Sequence, residues 1–480
     1  MTRSNLLLYV VYTALIVACG FGIWFTLQEG KHFEPKAQSS VQPTTPLQTA
    51  ATNPSIVNSL QGIRDNLREP LTLLLLQLIV IVLLARVFGA LFVKFHQPAV
   101  IGEMVAGIVL GPSVIGTLFP CTFQFIFPTN SLGPLRMLSQ VGVILFMFVV
   151  GMELDVKELR SKARTAVMVS HVSIVFPYFL GVLVSLFVYR EYANANVHFT
   201  PFALFMGIAM SITAFPVLAR IIDERNLAKT ELGSTAITCA AVDDVTAWTI
   251  LAFVVAFAKS QDSSNCWITI LLLIVFFAAM LLIVKPFLQR SLAANSPQPH
   301  ALTRNTIVAV LVLVFTCGLI TEIIGIHALF GAFMAGICMP QNLEFRTRLR
   351  ERLESFSSAF LLPLFFAFTG LRTQVGLLND WSTVAVCLGL IAVATIGKLG
   401  GSMLIAKWTG MNWCDSFALG ALMNTRGLVE LIVLNIGFDL GILSPHVFTM
   451  MVIMALTTTC MTGPLLSLAL ARTRRPTIAT

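Results

Sequence analysis

Residues Thr235 to Phe257 read TAITCAAVDDVTAWTILAFVVAF, an apolar run with two adjacent carboxylates, Asp243 and Asp244, near its centre and no other charge. About 20 apolar residues are enough to cross the hydrocarbon core of a bilayer. A carboxylate at that depth costs roughly 2.5–3.5 kcal/mol even on the mildest scales, so it faces water or a partner and marks a path for protons or ions. The other reading of each aspartate is a carboxylate neutralised in a buried salt bridge. Neighbouring side chains on a helix diverge by about 100°. One aspartate can therefore meet a packed partner while the other faces a cavity.

The remainder of the chain fits this start. It is 56% hydrophobic and 11% charged, less than half the usual charged share of soluble domains. Long apolar runs recur from end to end, which predicts an all-α polytopic membrane protein and excludes a barrel of short alternating strands. We read fourteen spans: 6–27, 70–94, 98–117, 135–152, 165–188, 199–222, 231–257, 265–288, 305–323, 325–340, 355–371, 381–407, 414–437 and 446–470. With the N-terminus inside, most Lys and Arg fall on the cytoplasmic side, including Arg160, Lys162, Arg164, Arg225, Lys229, Arg346, Arg348, Arg350, Arg352 and Arg474. That asymmetry obeys the positive-inside rule and predicts a cytoplasmic C-terminus. The net charge of +8 is spread over short loops, so it reads as topology and not as a nucleic-acid surface.

Four regions are expected. Residues 1–27 form a membrane anchor or a signal, with Ile16-Val17-Ala18-Cys19 resembling a lipidation site. The apolar run past Cys19 favours an uncleaved anchor. Residues 28–69, rich in Gln, Ser, Thr and Pro, read as a flexible extracytoplasmic linker. Residues 70–470 form the transmembrane domain, and 471–480 a short cytoplasmic tail. The nine cysteines form no C-x-x-C pair, and no phosphate loop, zinc motif or hydrolase triad appears. An enzyme, a cofactor and a nucleic-acid partner are accordingly not expected. Membrane lipids and small monovalent cations are.

An internal repeat is visible. GEMVAGI at 102–108 aligns with GAFMAGI at 331–337, and LFMFVVG at 145–151 with LFFAFTG at 364–370. The members of each pair run in opposite directions through the membrane, the inverted-topology arrangement of secondary transporters.

Few ionisable groups lie deep in spans: Arg86, Asp243, Asp244, Lys398, Arg426 and Glu430. Lys398, flanked by Gly397, Gly400 and Gly401, is the natural counter-ion for one aspartate. Ser211, Thr213 and Pro216 in one span, and Asn424, Thr425 and Arg426 in its repeat counterpart, read as two broken helices whose carbonyls and dipole ends line an ion site. A plain proline kink at Pro216 is the alternative. Arg426 and Glu430, spaced i, i+4, read as a structural or gating pair. His171, Glu322 and His327 read as packing or solvated end groups.

These strings resemble the second family of monovalent cation:proton antiporters, within the sodium/proton exchanger superfamily. The resemblance covers residues 70–470 and rests on HQPAVIGEMVAGIVLGP (96–112), GMELD (151–155), SITAFPVLARI (211–221), AAVDDVTAW (240–248) and NTRGLVELIVLNIG (424–437). It implies the sodium/proton antiporter fold: two inverted six-helix repeats with discontinuous crossing helices, here with one extra N-terminal helix. It also implies a homodimer in the cell membrane (here a bacterial inner, or plasma, membrane) and an elevator-like core bundle made of the last four spans of each repeat. Asp244 becomes the carboxylate that binds a proton, Na⁺ or K⁺, and Asp243 the partner of Lys398. The resulting expectation is proton exchange for Na⁺ or K⁺. A sodium-coupled organic solute carrier of the same fold and a non-transporting sensor are the competing readings.

Overall fold

In the computed structural model the described residues are 3–30, 69–95, 97–153, 163–259, 263–294, 303–340 and 342–473. Residues 31–68 of the expected linker and 474–480 of the tail lie outside them, as do His96 and Asp155. Among the described residues all regular structure is helical. Eleven helices are long and apolar enough to cross a membrane, and one bent pair and two shorter apolar helices complete the fourteen segments read above. The chain is a multi-pass integral membrane protein.

The helices used below are α1 (Arg3–Gly30), α2 (Pro70–Lys94), α3 (Ala99–Leu110), α4 (Leu132–Glu153), α5 (Ala163–Tyr192), α6 (Phe199–Ser211), α7 (Phe215–Glu224) and α8 (Glu231–Lys259). They continue with α9 (Ser263–Ala279), α10 (Arg304–Ile324), α11 (Ala328–Ile337), α12 (Leu343–Phe356), α13 (Leu362–Arg372), α14 (Trp381–Thr395), α15 (Gly401–Trp408), α16 (Trp413–Met423), α17 (Leu428–Asp439) and α18 (Pro445–Thr473).

The repeat appears directly in the packing. A carbon added at Gly107 in α3 would strike the backbone of Phe366 in α13, and one at Gly370 in α13 would strike Gly107. In the other pair, a carbon at Gly151 in α4 would strike Phe333 in α11, and one at Gly336 in α11 would strike Phe148 in α4. Gly107 corresponds to Gly336 in the sequence repeat, and Gly151 to Gly370. Each repeat thus lends one glycine of each kind to a crossing with the other repeat. Helix association in lipid depends on close backbone approach, and only glycine permits these contacts.

These crossings correct one expectation. The resemblance puts the last four spans of each repeat in the core bundle, which would place α4 and α13 there. Instead α4 packs on α11 and α13, and α13 on α3. The first three spans of each repeat therefore build one layer, the scaffold. The last three, α5 to α8 and α14 to α18, build the core. The extra helix α1 lies on the core against α5, where a side chain at Gly22 would meet the ring of Phe179.

Candidate functional site: a buried aspartate pair at two broken helices

The span Phe199–Glu224 is interrupted. α6 ends at Ser211, Ile212 and Ala214 are extended, and α7 begins at Phe215. Pro216 occupies the first turn of α7, where its missing N–H leaves no bond unmade. The kink alternative therefore fails: the helix stops and restarts. The second break separates α16 from α17 across Asn424–Gly427, with a bend of 41°. The breaks touch, because Ala214 N donates to Thr425 O at 2.9 Å.

Ending α6 in the membrane frees its last carbonyls, and each such group needs a partner at that depth. Arg426 donates through Nη1 to Ala209 O (2.8 Å) and through Nη2 to Met210 O (2.6 Å). Lys398 Nζ donates to Ser211 O. Two cations thus cap the negative end of the α6 dipole. The second break is pinned to α18 by Thr459, whose Oγ1 accepts from Arg426 N (3.0 Å) and donates to Arg426 O (2.7 Å). Glu430 Oε2 lies 3.4 Å from Arg426 Nη1, so the i, i+4 pair forms, fully buried.

The two aspartates of α8 differ sharply. Asp243 is fully buried and accepts from Ser170 Oγ (2.5 Å), Ser173 Oγ (2.7 Å), Thr213 Oγ1 (2.6 Å) and Lys398 Nζ (2.9 Å). Lys398 also donates to Ser173 O at 2.8 Å. Ser170 and Ser173 are additions to the sequence reading; hydroxyls at i, i+3 on one face of an apolar span were the available signal. Asp244 is equally buried, but neither of its oxygens is hydrogen-bonded among the described residues. Of the expected lining groups, Ser211 Oγ donates to Ile208 O (2.9 Å), Thr213 serves Asp243, and Thr425 lies 3.4 Å from Thr462 Oγ1. Asn424 alone among those hydroxyls and amides is buried with both side-chain polar atoms unpaired among the described residues.

A family profile described as "Sodium/hydrogen exchanger, transmembrane" matches residues 79–472. The chain belongs to this sodium/hydrogen exchanger family. It is 44% identical over 396 residues to the Na(+)/H(+) antiporter NhaS4 of Synechocystis, covering 82% of this chain and 96% of that one. It is 40% identical to Cation/H(+) antiporter 17 of Arabidopsis thaliana (83% of this chain) and 32% identical to K(+)/H(+) antiporter 1 of Saccharomyces cerevisiae (86%), spanning 48% of each relative. The solved sodium proton antiporter MjNhaP1 of Methanocaldococcus jannaschii has the same fold, with a TM-score of 0.57 at 16% identity over 83% of this chain and 98% of that one.

In this exchanger the core and scaffold meet differently at the two membrane faces. At the Lys/Arg-rich face they part around a cavity of about 390 Å³ whose charged lining is Glu153, Arg220, Asp223, Glu224, Arg350 and Glu354. Asp244 does not line it. At the opposite face the layers are tied. Asp439, at the end of α17, pairs with Arg136 of α4 (3.0 Å) and Arg372 of α13 (2.7 Å). Arg372 also donates to Asn435 Oδ1 (3.0 Å) and lies 4.2 Å from the Phe368 ring centroid. Arg136 and Arg372 look like ordinary span-end charges in the sequence, and their convergence on Asp439 is visible only in three dimensions.

Asp439→Asn should loosen this closure. Two partly screened pairs of this kind contribute about 1–2 kcal/mol together, enough to shift a two-state balance roughly 5- to 30-fold. A cysteine at Gln140, which lines the small cleft beside Asp439, should react faster with a membrane-impermeant thiol reagent in the variant. Equal rates would dismiss the tie as a gate.

Proposed function

We propose that this exchanger carries protons against a monovalent cation, Na⁺ or K⁺, by alternating access, and that Asp244 is the group that binds one or the other. The observation that carries the assignment is the contrast within the pair. Asp243 is held by four donors, one of them an ammonium. Asp244 is a buried carboxylate with both oxygens unpaired among the described residues. A buried ionised carboxylate without a partner is costly, so it takes up either a proton or a cation. Occupancy by one excludes the other, and that competition couples the two fluxes.

Asn424 is the neutral ligand we assign to the cation, because its amide lies at the second break, unpaired among the described residues, just past the end of α16, which packs against α8. Ser211, Thr213 and Thr425 hold the crossing and Asp243 in place. Arg426 and Glu430 tie the two broken helices together. No resident cofactor is part of this reading, since the ions are the substrates. The Lys/Arg-rich face is taken as cytoplasmic, C-terminus included. We put dimerisation on the scaffold, and the apolar side chains that α2 and α10 expose, Leu75, Ile79, Leu83, Val308 and Val312, support that reading. The names of the relatives, which include Na(+)/H(+), K(+)/H(+) and cation/H(+) antiporters, support the exchange of a monovalent cation.

Proteoliposomes holding a pH dye test the function. Adding Na⁺, K⁺, Li⁺ or Rb⁺ outside should alkalinise the lumen if protons leave as the cation enters, and the ranking of the four gives selectivity. No response to any of them would overturn the proposal.

A further inference from the structure

Trp248 lies four residues after Asp244 on α8, so the two side chains share one helix face, one turn apart. That face is turned to the scaffold. The indole packs edge-on against Phe330 of α11 (centroids 5.4 Å, planes 87°) and beside Phe333 (6.1 Å). Trp248 is 2% exposed, yet its Nε1–H makes no hydrogen bond among the described residues. Buried tryptophans generally find an acceptor for that proton. An unpaired donor and two unpaired acceptors therefore occupy the same face, and the donor's ring is held by aromatic contacts. If Trp248 were packing alone, Phe would fill the place equally well without burying an unsatisfied N–H.

We propose that Trp248 is a positioning residue for Asp244: its indole N–H donates to the carboxylate when that group is charged, holding one oxygen and leaving the other for the cation. The proposal rests on the reading of Asp244 as the exchanging carboxylate. An indole N–H is a donor only, so it cannot ligate the cation itself and acts through Asp244. The ring contacts with Phe330 and Phe333 limit its rotation, which keeps the donor near the carboxylate.

Trp248→Phe retains a ring for α11 and deletes the N–H. A hydrogen bond to a charged group is among the stronger kinds, so its loss should raise the apparent KM for the cation roughly tenfold at fixed pH. The effect should fall on KM more than on the maximal rate, as for a contact made whenever the cation is bound. A second measurement reads the bond in the unmutated chain. In protein labelled with 5-fluorotryptophan, the fluorine resonance missing from Trp248→Phe, or from Trp248→Tyr if Phe does not fold, belongs to Trp248. It should move when saturating Na⁺ or K⁺ is added and stay in place in Asp244→Asn. An unchanged KM in Trp248→Phe, or a resonance indifferent to cation in the unmutated chain, overturns the proposal. Transport surviving in Asp244→Asn would remove the underlying reading instead, whatever Trp248 does.

Discussion

Asp244→Asn should reduce cation-driven proton flux in proteoliposomes to the leak of protein-free vesicles while leaving the fold intact. Asparagine nearly matches aspartate in shape but neither releases a proton nor carries charge. Because the Asp244 oxygens make no hydrogen bond among the described residues, the substitution breaks none of the hydrogen bonds described above. It also removes the penalty of a buried unpaired charge, so the melting temperature should hold or rise. Loss of flux with retained stability is the signature of a transport residue, since structural damage would lower both. Asp243→Asn should behave otherwise, because it weakens a group with four donors, one of them an ammonium. Flux in Asp244→Asn near that of the unmutated chain would sink the assignment, and a melting temperature lowered as far as in Asp243→Asn would blur the distinction on which it rests.

The parts of this architecture legible in the sequence were those written in hydropathy and in glycine. Fourteen apolar segments were countable because lipid demands a fixed length of apolar helix. The repeat was visible because Gly107, Gly336, Gly151 and Gly370 cannot carry a side chain where two helix backbones touch. Lys398 stood out as a charge too deep to reach water. The division into layers was less legible. It depends on which helices meet, and α4 and α13 are as apolar as their core neighbours. The expectation that both breaks offer free oxygens to an ion also needed revision: Arg426 and Lys398 take the α6 carbonyls, and Asp243 takes Thr213. Their claims on those groups depend on side-chain reach across three helices, which spacing along the chain does not encode. Ser170 and Ser173 escaped for a related reason, since a hydroxyl in an apolar span usually bonds its own helix backbone, as Ser185 does to Gly181 O at 2.8 Å.

Lys398→Met should be the most destabilising single change in the core. The ammonium's three N–H groups donate to Asp243 Oδ2, Ser173 O and Ser211 O, with Ser173 Oγ 3.3 Å away, all from a position with no exposure. Removing it leaves a buried carboxylate without its cation and the end of α6 without one of its two caps. Breaking a buried ion pair from one side costs about 3–5 kcal/mol, whereas replacing both members with neutral groups is often close to neutral. The double variant Lys398→Met with Asp243→Asn should therefore recover much of the melting temperature lost by Lys398→Met alone. The recovery should be partial, because the Ser211 and Ser173 carbonyls stay uncapped. If the double variant melts at or below the single one, the pair does not govern stability at this site. The same variants address stoichiometry. If Lys398 only neutralises Asp243, the stabilised double variant should exchange one proton per cation through Asp244, and its flux should be the same with and without a membrane potential clamped by valinomycin or a lipophilic ion. If Lys398 itself gives up a proton in each cycle, the unmutated exchanger moves net charge. Its rate then responds to the clamp, and that response disappears with the lysine. Stability and voltage sensitivity thus report on the same ammonium by independent routes, one through the charge it leaves unpaired and the other through the proton it carries.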